Sequence, residues 1–375
     1  MATDSSNKVP NVPPLRFPEF TEEWISTTIG ECCETLDYGM NALAKPYDGY
    51  NKYIRITDID EVSSSYRQDD VVSPNGILEE RYKVKANDIL FARTGASTGK
   101  TYLYDESDGN LYFAGFLIRG NVKPKFNSKF IFLQTHTRQY KRWVDIMSIR
   151  SGQPGINSQE YASYKFGLPQ SKEEQDKIAN LFNLLDERIA TQSKIIDKLQ
   201  SLMSGISKTL FSQTRKFCPL YEYDNNITAG KDVPSNELCI IPLYGSTGPI
   251  GKVATPSYNE PLVLVARVGS IGTVQYVDDF CGVSDNTLII RGKEHSRYIY
   301  HFLKTFNFSK ITSGTTQPLI TASSLKTILI PSFSSSEQSA ITALLDCLDN
   351  MIVVETSILY RLKKQKQHLL QQMFI

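Results

Sequence analysis

Cysteine is scarce here and poorly spaced for structural or catalytic use. Six occur in 375 residues (Cys32, Cys33, Cys218, Cys239, Cys281 and Cys347), and no two stand at CxxC or zinc-ligand spacing. The adjacent pair Cys32–Cys33 suits neither a disulfide framework nor a metal site, so reduced thiols in a cytoplasm are expected. Histidine is scarcer still. His136, His295, His301 and His368 form no HExxH or HxH pair, which argues against a zinc enzyme. An excess of charge is missing too: 41 Lys and Arg stand against 40 Asp and Glu, a net charge of +1. A stand-alone nucleic-acid binder usually carries a basic excess, so any such binding must draw on local charge or on a partner. No apolar run approaches the roughly 18 residues of a membrane span. The opening MATDSSNKVPNVPP lacks the apolar stretch of a signal peptide. A soluble, cytoplasmic protein is expected.

Catalytic signatures are equally thin. GASTGKT (Gly95–Thr101) resembles a P-loop, but three residues separate Gly95 from Gly99 where the P-loop needs four. A strand–turn–strand with glycines at positive φ is the better reading. No G-x-S-x-G elbow occurs. Acids are plentiful, but no pair of the kind a catalytic centre needs recurs between the copies.

Duplication is what the sequence does have. Four landmarks recur in order: DILFARTGAS (Asp88–Ser97) with LVLVARVGS (Leu262–Ser270), LIRG (Leu117–Gly120) with IIRG (Ile289–Gly292), SGQPGIN (Ser151–Asn157) with SGTTQPLIT (Ser313–Thr321), and FGLPQSKEEQ (Phe166–Gln175) with ILIPSFSSSEQ (Ile328–Gln338). The segments that follow agree best. Ile178, Phe182, Leu185, Ile189, Gln192, Ile196, Leu199, Met203, Ile206 and Leu210 alternate by four and three. Adding 163 gives Ile341, Leu345, Leu348, Ile352, Glu355, Leu359, Leu362, Lys366, Leu369 and Met373. This is the heptad pattern of a coiled-coil seam. Each run opens on an S-x-x-E capping box, Ser171 with Glu174 and Ser334 with Glu337. Thirty-three helical residues (178–210) reach about 50 Å. The short linker Ser212–Pro219 makes an antiparallel pair the simpler topology, because a parallel one would oblige the second half to span that length back. Gln192 and Glu355 then meet near a pseudo-twofold axis and set register.

The remainder reads as β-rich. Strands are expected at Lys52–Ile56, Ile89–Ala92, Thr101–Tyr104 and Tyr112–Ile118, then a helix at Lys129–Met147. In the second half they are expected at Cys239–Leu243, Leu262–Ala266, Thr273–Val277 and Thr287–Ile290, then a helix at Arg297–Phe306. The fold class is α+β: two β-rich domains in tandem (1–170 and 216–333), each followed by a long helix (171–215 and 334–375).

PPLRFPEFTEEW (Pro13–Trp24), FARTGAS, SGQPGIN and LPQSKEEQDKIANLF, with YGSTGPIGK (Tyr244–Lys252), ARVGSIG and LIPSFSSSEQSAITALLDCLD in the second copy, together resemble specificity subunits of type I restriction-modification systems. The resemblance covers essentially the whole chain. It implies a non-catalytic subunit in which each globular half is a target-recognition domain for one half of a bipartite duplex DNA site. The helices would set the gap and dock two methyltransferase subunits, with restriction subunits joining the full complex. No cofactor is implied for this chain; S-adenosylmethionine, ATP and Mg would belong to the partners. The alternative is a coiled-coil adaptor binding two protein ligands without DNA.

Candidate DNA contacts divide by logic. Shared residues cannot discriminate two half-sites, so Arg93 and Gln153, with Arg267 and Gln317, read as scaffold or phosphate contacts, and Thr94, Ser97, Lys100 and Ser270 in the same turns are further candidate DNA contacts. Base readout belongs where the copies diverge. In the first half this is Lys45–Gln68, with Tyr47, Lys52, Tyr53, Arg55, Arg67 and Gln68; in the second it is Tyr244, Ser246, Thr247 and Lys252. The basic stretch Arg361, Lys363, Lys364 and Lys366 reads as a solvated face suited to the helix dipole.

Overall fold

The computed structural model describes residues 11–235, 239–314 and 318–375. Two compact units emerge: the described residues up to Ala190 together with Tyr360–Ile375, and Thr191–Leu359.

In the first unit, a four-stranded antiparallel sheet runs in the order Cys33–Tyr38, Leu117–Val122, Asp88–Ala92, Thr101–Leu103. Asp88–Ala92 is buried throughout, as a central strand covered on both faces must be. Ile89 and Phe91 pack into a core with Trp24, Phe130, Tyr161 and Phe182, and Leu90 and Ala92 into a second one with Ile54, Tyr102 and Phe113. The expected strand Tyr112–Ile118 is two, Leu111–Phe113 and Leu117–Val122. Leu111–Phe113 runs parallel to Lys52–Ile54, and the chain then turns to join the main sheet. The expected helix Lys129–Met147 is also two, Ser128–Gln134 and Arg138–Met147. The break lies at two threonines whose hydroxyls bond local backbone instead of prolonging the helix: Thr135 donates to Phe132 O (2.7 Å), and Thr137 accepts from Tyr140 N as the next N-cap (3.2 Å).

The second unit repeats the plan. Its sheet runs Thr228–Ala229, Thr287–Ile290, Leu262–Ala266, Val274–Val277, and Ile241–Gly245 runs parallel to Gly282–Val283. The strand expected at Cys239–Leu243 thus lies two residues later. One landmark pairing is corrected by register. Leu117 pairs with Ala92 and Thr287 with Ala266, so Arg119 corresponds to Ile289, and IIRG is displaced from LIRG by two residues. A two-residue slip keeps the same face, and Arg291 instead follows its strand and pairs with Glu260.

Two helices dominate the length: Lys172–Phe211 (40 residues) and Ser335–Gln372 (38 residues). None of the ten seam positions on either helix is exposed. Within the first unit, Phe182 meets Phe374 (centroids 5.8 Å), while Asp186 pairs with Lys366. Within the second, Met203, Ile341, Leu345 and Leu348 share one core, and Gln192 Nε2 donates to Glu355 through both its carbonyl oxygen (3.2 Å) and its carboxylate. In both units the helices run antiparallel. Lys366 is therefore a seam residue paired with a carboxylate, unlike its exposed neighbours Arg361, Lys363 and Lys364.

The helix starts differ from expectation in one respect. Ser334 and Glu337 close a capping box, with Glu337 accepting from Ser334 N at 2.8 Å. At the first helix Glu174 is drawn away. Arg16 holds it with two bonds of 2.7 Å, and the Trp24 indole N–H reaches it at 3.1 Å. One buried glutamine per unit repeats instead. Gln175 donates to Pro169 O and Gln338 to Phe333 O, both at 3.0 Å, and each tethers the globular body: Gln175 accepts from Asn127 N (3.0 Å), while Gln338 Oε1 lies 2.8 Å from His295 Nδ1.

Candidate nucleic-acid interface

The Arg-x-Gly landmark forms the same object in both units: a tight turn leaving the central strand, clasped by a loop distant in sequence. In the first unit Arg93 N donates to Phe116 O (3.0 Å), and Ile156 N donates to Arg93 O (2.9 Å). In the second Arg267 N donates to Asn286 O (3.0 Å), and Ile320 N donates to Arg267 O (2.9 Å). Gly99 N and Gly272 N close the turns onto Ala92 O and Ala266 O, each at 3.0 Å. The second glycine of each turn has positive φ, 89° at Gly99 and 79° at Gly272. Each presses on a flanking segment: a Cβ at Gly99 would lie 2.5 Å from Val144, and one at Gly272 would lie 2.7 Å from Phe308.

The clasping loops explain the SGQPGIN and SGTTQPLIT motifs. Pro154 O accepts from Gly95 N (2.9 Å). Asn157 caps the short helix Ser158–Ala162, and Thr321 caps Ala322–Lys326. Tyr161, in the first of these helices, donates its hydroxyl to Ala92 O (2.7 Å), and burial pushes that phenol well above its ordinary pKa. The P-loop-like sequence is thus a strand turn braced by a tyrosine.

The divergent segments occupy equivalent places, each following the parallel strand. Ala114 N donates to Ile54 O, and Ser284 N donates to Tyr244 O, so residues from Arg55 onward in the first unit correspond to those from Gly245 onward in the second. In the second unit Ser246 reaches the Arg267 turn, its Oγ donating to Val268 O (3.1 Å), while Gln275 of the neighbouring strand donates to Gly245 O (2.8 Å) and Tyr244 packs against the core around Leu264. Thr247 and Ser270 are exposed there. Lys252 lies farther along the hairpin, opposite Pro242. In the first unit Lys100 reaches Glu61 at 3.5 Å, joining the Arg93 turn to the loop after Arg55. Ser97 O accepts from Lys100 N within this turn, and Thr94 bridges Gly155.

Several candidates prove to be structural. Tyr53 is 2% exposed, and its hydroxyl donates to Met40 O (2.8 Å) and Ala42 O (3.1 Å), so it belongs to the core rather than to a reading surface. Arg55 is held by Asp58 (2.8 Å) and Asp70 (3.1 Å); the Asp58 carboxylate above all keeps it firmly protonated. Gln68 donates to Asp108 (3.1 Å). Arg67 pairs with Asp69 across exposed surface, a contact easily exchanged for another anion. Lys52 lies over the Tyr66 ring (5.9 Å), and Tyr47 and Gln153 are exposed. Gln317 lies outside the described residues. Arg93 stacks over Tyr38 (4.7 Å), a partner 55 residues upstream that no spacing rule points to. Arg267 has its Nε buried, with no hydrogen-bond partner among the described residues.

Comparison with known proteins agrees with this duplicated plan. Residues 22–201 and 214–364 match the type I restriction modification DNA specificity domain. A protein of Haemophilus influenzae described as a type I restriction enzyme specificity subunit is 26% identical over 152 residues, covering 38% of this chain and 40% of its own length. A Methanocaldococcus jannaschii protein described as the MjaX specificity subunit is 25% identical over 218 residues, covering 55% and 49%. The matches thus span less than half of these relatives. Among solved structures, the S subunit of a type I restriction-modification system from M. genitalium aligns over 97% of this chain and 99% of its own, with a TM-score of 0.68 at 18% identity. A chain from a structural study of type I complex assembly and conformational transition aligns over 93% and 97%, with a TM-score of 0.55 at 18% identity; these two likenesses concern the fold. With the specificity-domain match taking in both units, the chain belongs to the type I restriction modification DNA specificity family.

Proposed function

We propose that this chain is the non-catalytic DNA-recognition subunit of a cytoplasmic type I restriction-modification complex, each unit reading one half of a bipartite duplex site. The observation that carries the reading is the paired construction at Arg93 and Arg267. The same turn and clasp recur in both units, while the segments beside them, after Arg55 and after Tyr244, differ in sequence. A common scaffold bearing divergent exposed side chains suits two readers of different sequence. The long helices act as the spacer and as the docking site for two methyltransferase subunits. Restriction subunits complete the assembly, and S-adenosylmethionine, ATP and Mg belong to those partners. A net charge of +1 fits a chain whose partners share the phosphate grip.

The test is co-expression with the methyltransferase subunit from the same locus, followed by genome-wide mapping of methylated adenines. The expected result is a motif of two half-sites with a constant gap. Replacing residues 1–169 by another such domain should change one half-site and leave the other. A stable complex that methylates nothing would favour the adaptor reading instead.

A further inference from the structure

The helix Arg138–Met147 is an unequal feature between the copies. It packs on the Arg93 turn: Val144 meets Gly99, Tyr140 donates its hydroxyl to Gly99 O (3.2 Å), and Ser148 O just beyond it accepts from Gly155 N (3.1 Å). In the second unit the matching contact, Phe308 against Gly272, comes from a three-residue turn, Phe308–Lys310. The first unit therefore carries an additional helix beside the turn assigned above to DNA.

Its charges run against its own stability. Tyr140, Trp143, Val144 and Met147 face inward, while Arg138, Gln139, Lys141, Arg142, Asp145 and Ile146 are exposed. The cations fill the N-terminal half and the acid lies near the C-terminus, the reverse of what the helix dipole favours. Arg138 and Arg142 also form a like-charge i,i+4 pair, which destabilises a helix. Arg138 sits beside the Gln371 amide. Lys141 and Arg142 have no such engagement: the ion pairs nearest in sequence belong to Lys129 and Arg150, and among the described residues neither cation makes one. Both cations are thus exposed and unpaired among the described residues, and so open to an external anion.

We propose that the outer face of this helix, through Lys141 and Arg142, grips the phosphate backbone of the half-site read by the first unit. This rests on the DNA-recognition reading above. Two neighbouring cations on a helix docked to the Arg93 turn would fix that unit's orientation on the duplex without specifying bases.

The test uses the full chain with its methyltransferase, binding a mixed-sequence DNA duplex across a salt series, with methyltransferase alone as control. For Lys141→Gln with Arg142→Gln, the slope of log affinity against log salt should become shallower by about two, at roughly 0.9 per lost phosphate contact. Low-salt affinity should fall about tenfold or more, while the methylated motif stays the same. Lys141→Arg with Arg142→Lys should keep the wild-type slope. A double glutamine variant with unchanged slope and affinity overturns the proposal. So does loss of co-purifying methyltransferase at unchanged slope, which would make the face a protein contact. If the wild-type complex binds no duplex beyond the control, the DNA reading itself has failed.

Discussion

At the scale of single residues, the turns impose the sharpest constraint. Gly99 combines positive φ with a Cβ position already filled by Val144, whereas Gly95 has a φ of 69° and open space around it. Gly99→Ala should cost about 3 kcal/mol or more through strain and overpacking together, Gly95→Ala about 1 kcal/mol, and Gly152→Ala, in an open site, close to none. Urea denaturation of the three variants checks that order. Protonation sets a second constraint. His136 packs against Phe132 (centroids 4.5 Å), and burial lowers its pKa from 6.5 to about 4; His301, facing Asp346 at 2.7 Å, is also lowered by burial. Between about 4 and 6.5 the His136 imidazole is protonated in the unfolded chain and not in the folded one, so its contribution to stability rises with pH there and is lost on acidification. Melting temperature should climb across that window, and His136→Gln should flatten the climb.

Among elements, the helix pair was the most legible part of the sequence. A heptad pattern is local and redundant, and both seams lie where the four-three alternation puts them. The Gln192–Glu355 contact followed from the same arithmetic. Gln192→Leu leaves the Glu355 carboxylate without this donor in a half-buried seam, so a loss of about 1–3 kcal/mol is expected. Adding Glu355→Leu should recover most of it, since an apolar pair satisfies the seam; a double-mutant cycle without coupling would contradict the contact. Element boundaries in the β-rich halves were less legible. The threonine break at Thr135–Thr137 rests on local hydroxyl bonds that compete with continuing the helix, whereas the turn between Leu111–Phe113 and Leu117–Val122 follows from pairing with strands distant in sequence, a tertiary matter. For the same reason Tyr53 resembled a reader in sequence while its hydroxyl serves two buried carbonyls.

For the whole molecule, each compact unit is closed by the end of a long helix. Phe374 stacks on Phe130 (5.3 Å) and meets Phe182 edge-on; the residue 163 positions earlier, Phe211, meets Tyr298 (5.8 Å) and Phe302 (5.4 Å). Leu15 N donates to Gln372 O, and Gly167 N to Ile375 O, so the first unit is completed by residues from both extremes of the described chain. Phe374→Ala and Phe211→Ala should each cost about 3–5 kcal/mol. Hydrogen exchange should show Phe374→Ala loosening the Phe130 region and Phe211→Ala loosening the Tyr298 region. Deprotection of both regions by either variant would mean that the units do not unfold separately.

Periodicity and repetition are properties of the chain itself, and they alone determined the duplication, the two long helices, their antiparallel pairing and the absence of a recognisable catalytic motif. Tertiary structure decided the rest. It placed the divergent segments after the same parallel strand, braced the Gly-turn with Tyr161, set Tyr38 under Arg93, neutralised the candidate Arg55 with Asp58 and Asp70, and left Lys141 and Arg142, which no motif singles out, without an ion pair among the described residues. The physical reason is range. A helix seam is written by neighbours three and four residues apart, whereas a loop cation's role depends on whether a carboxylate tens of residues away has been folded to within reach.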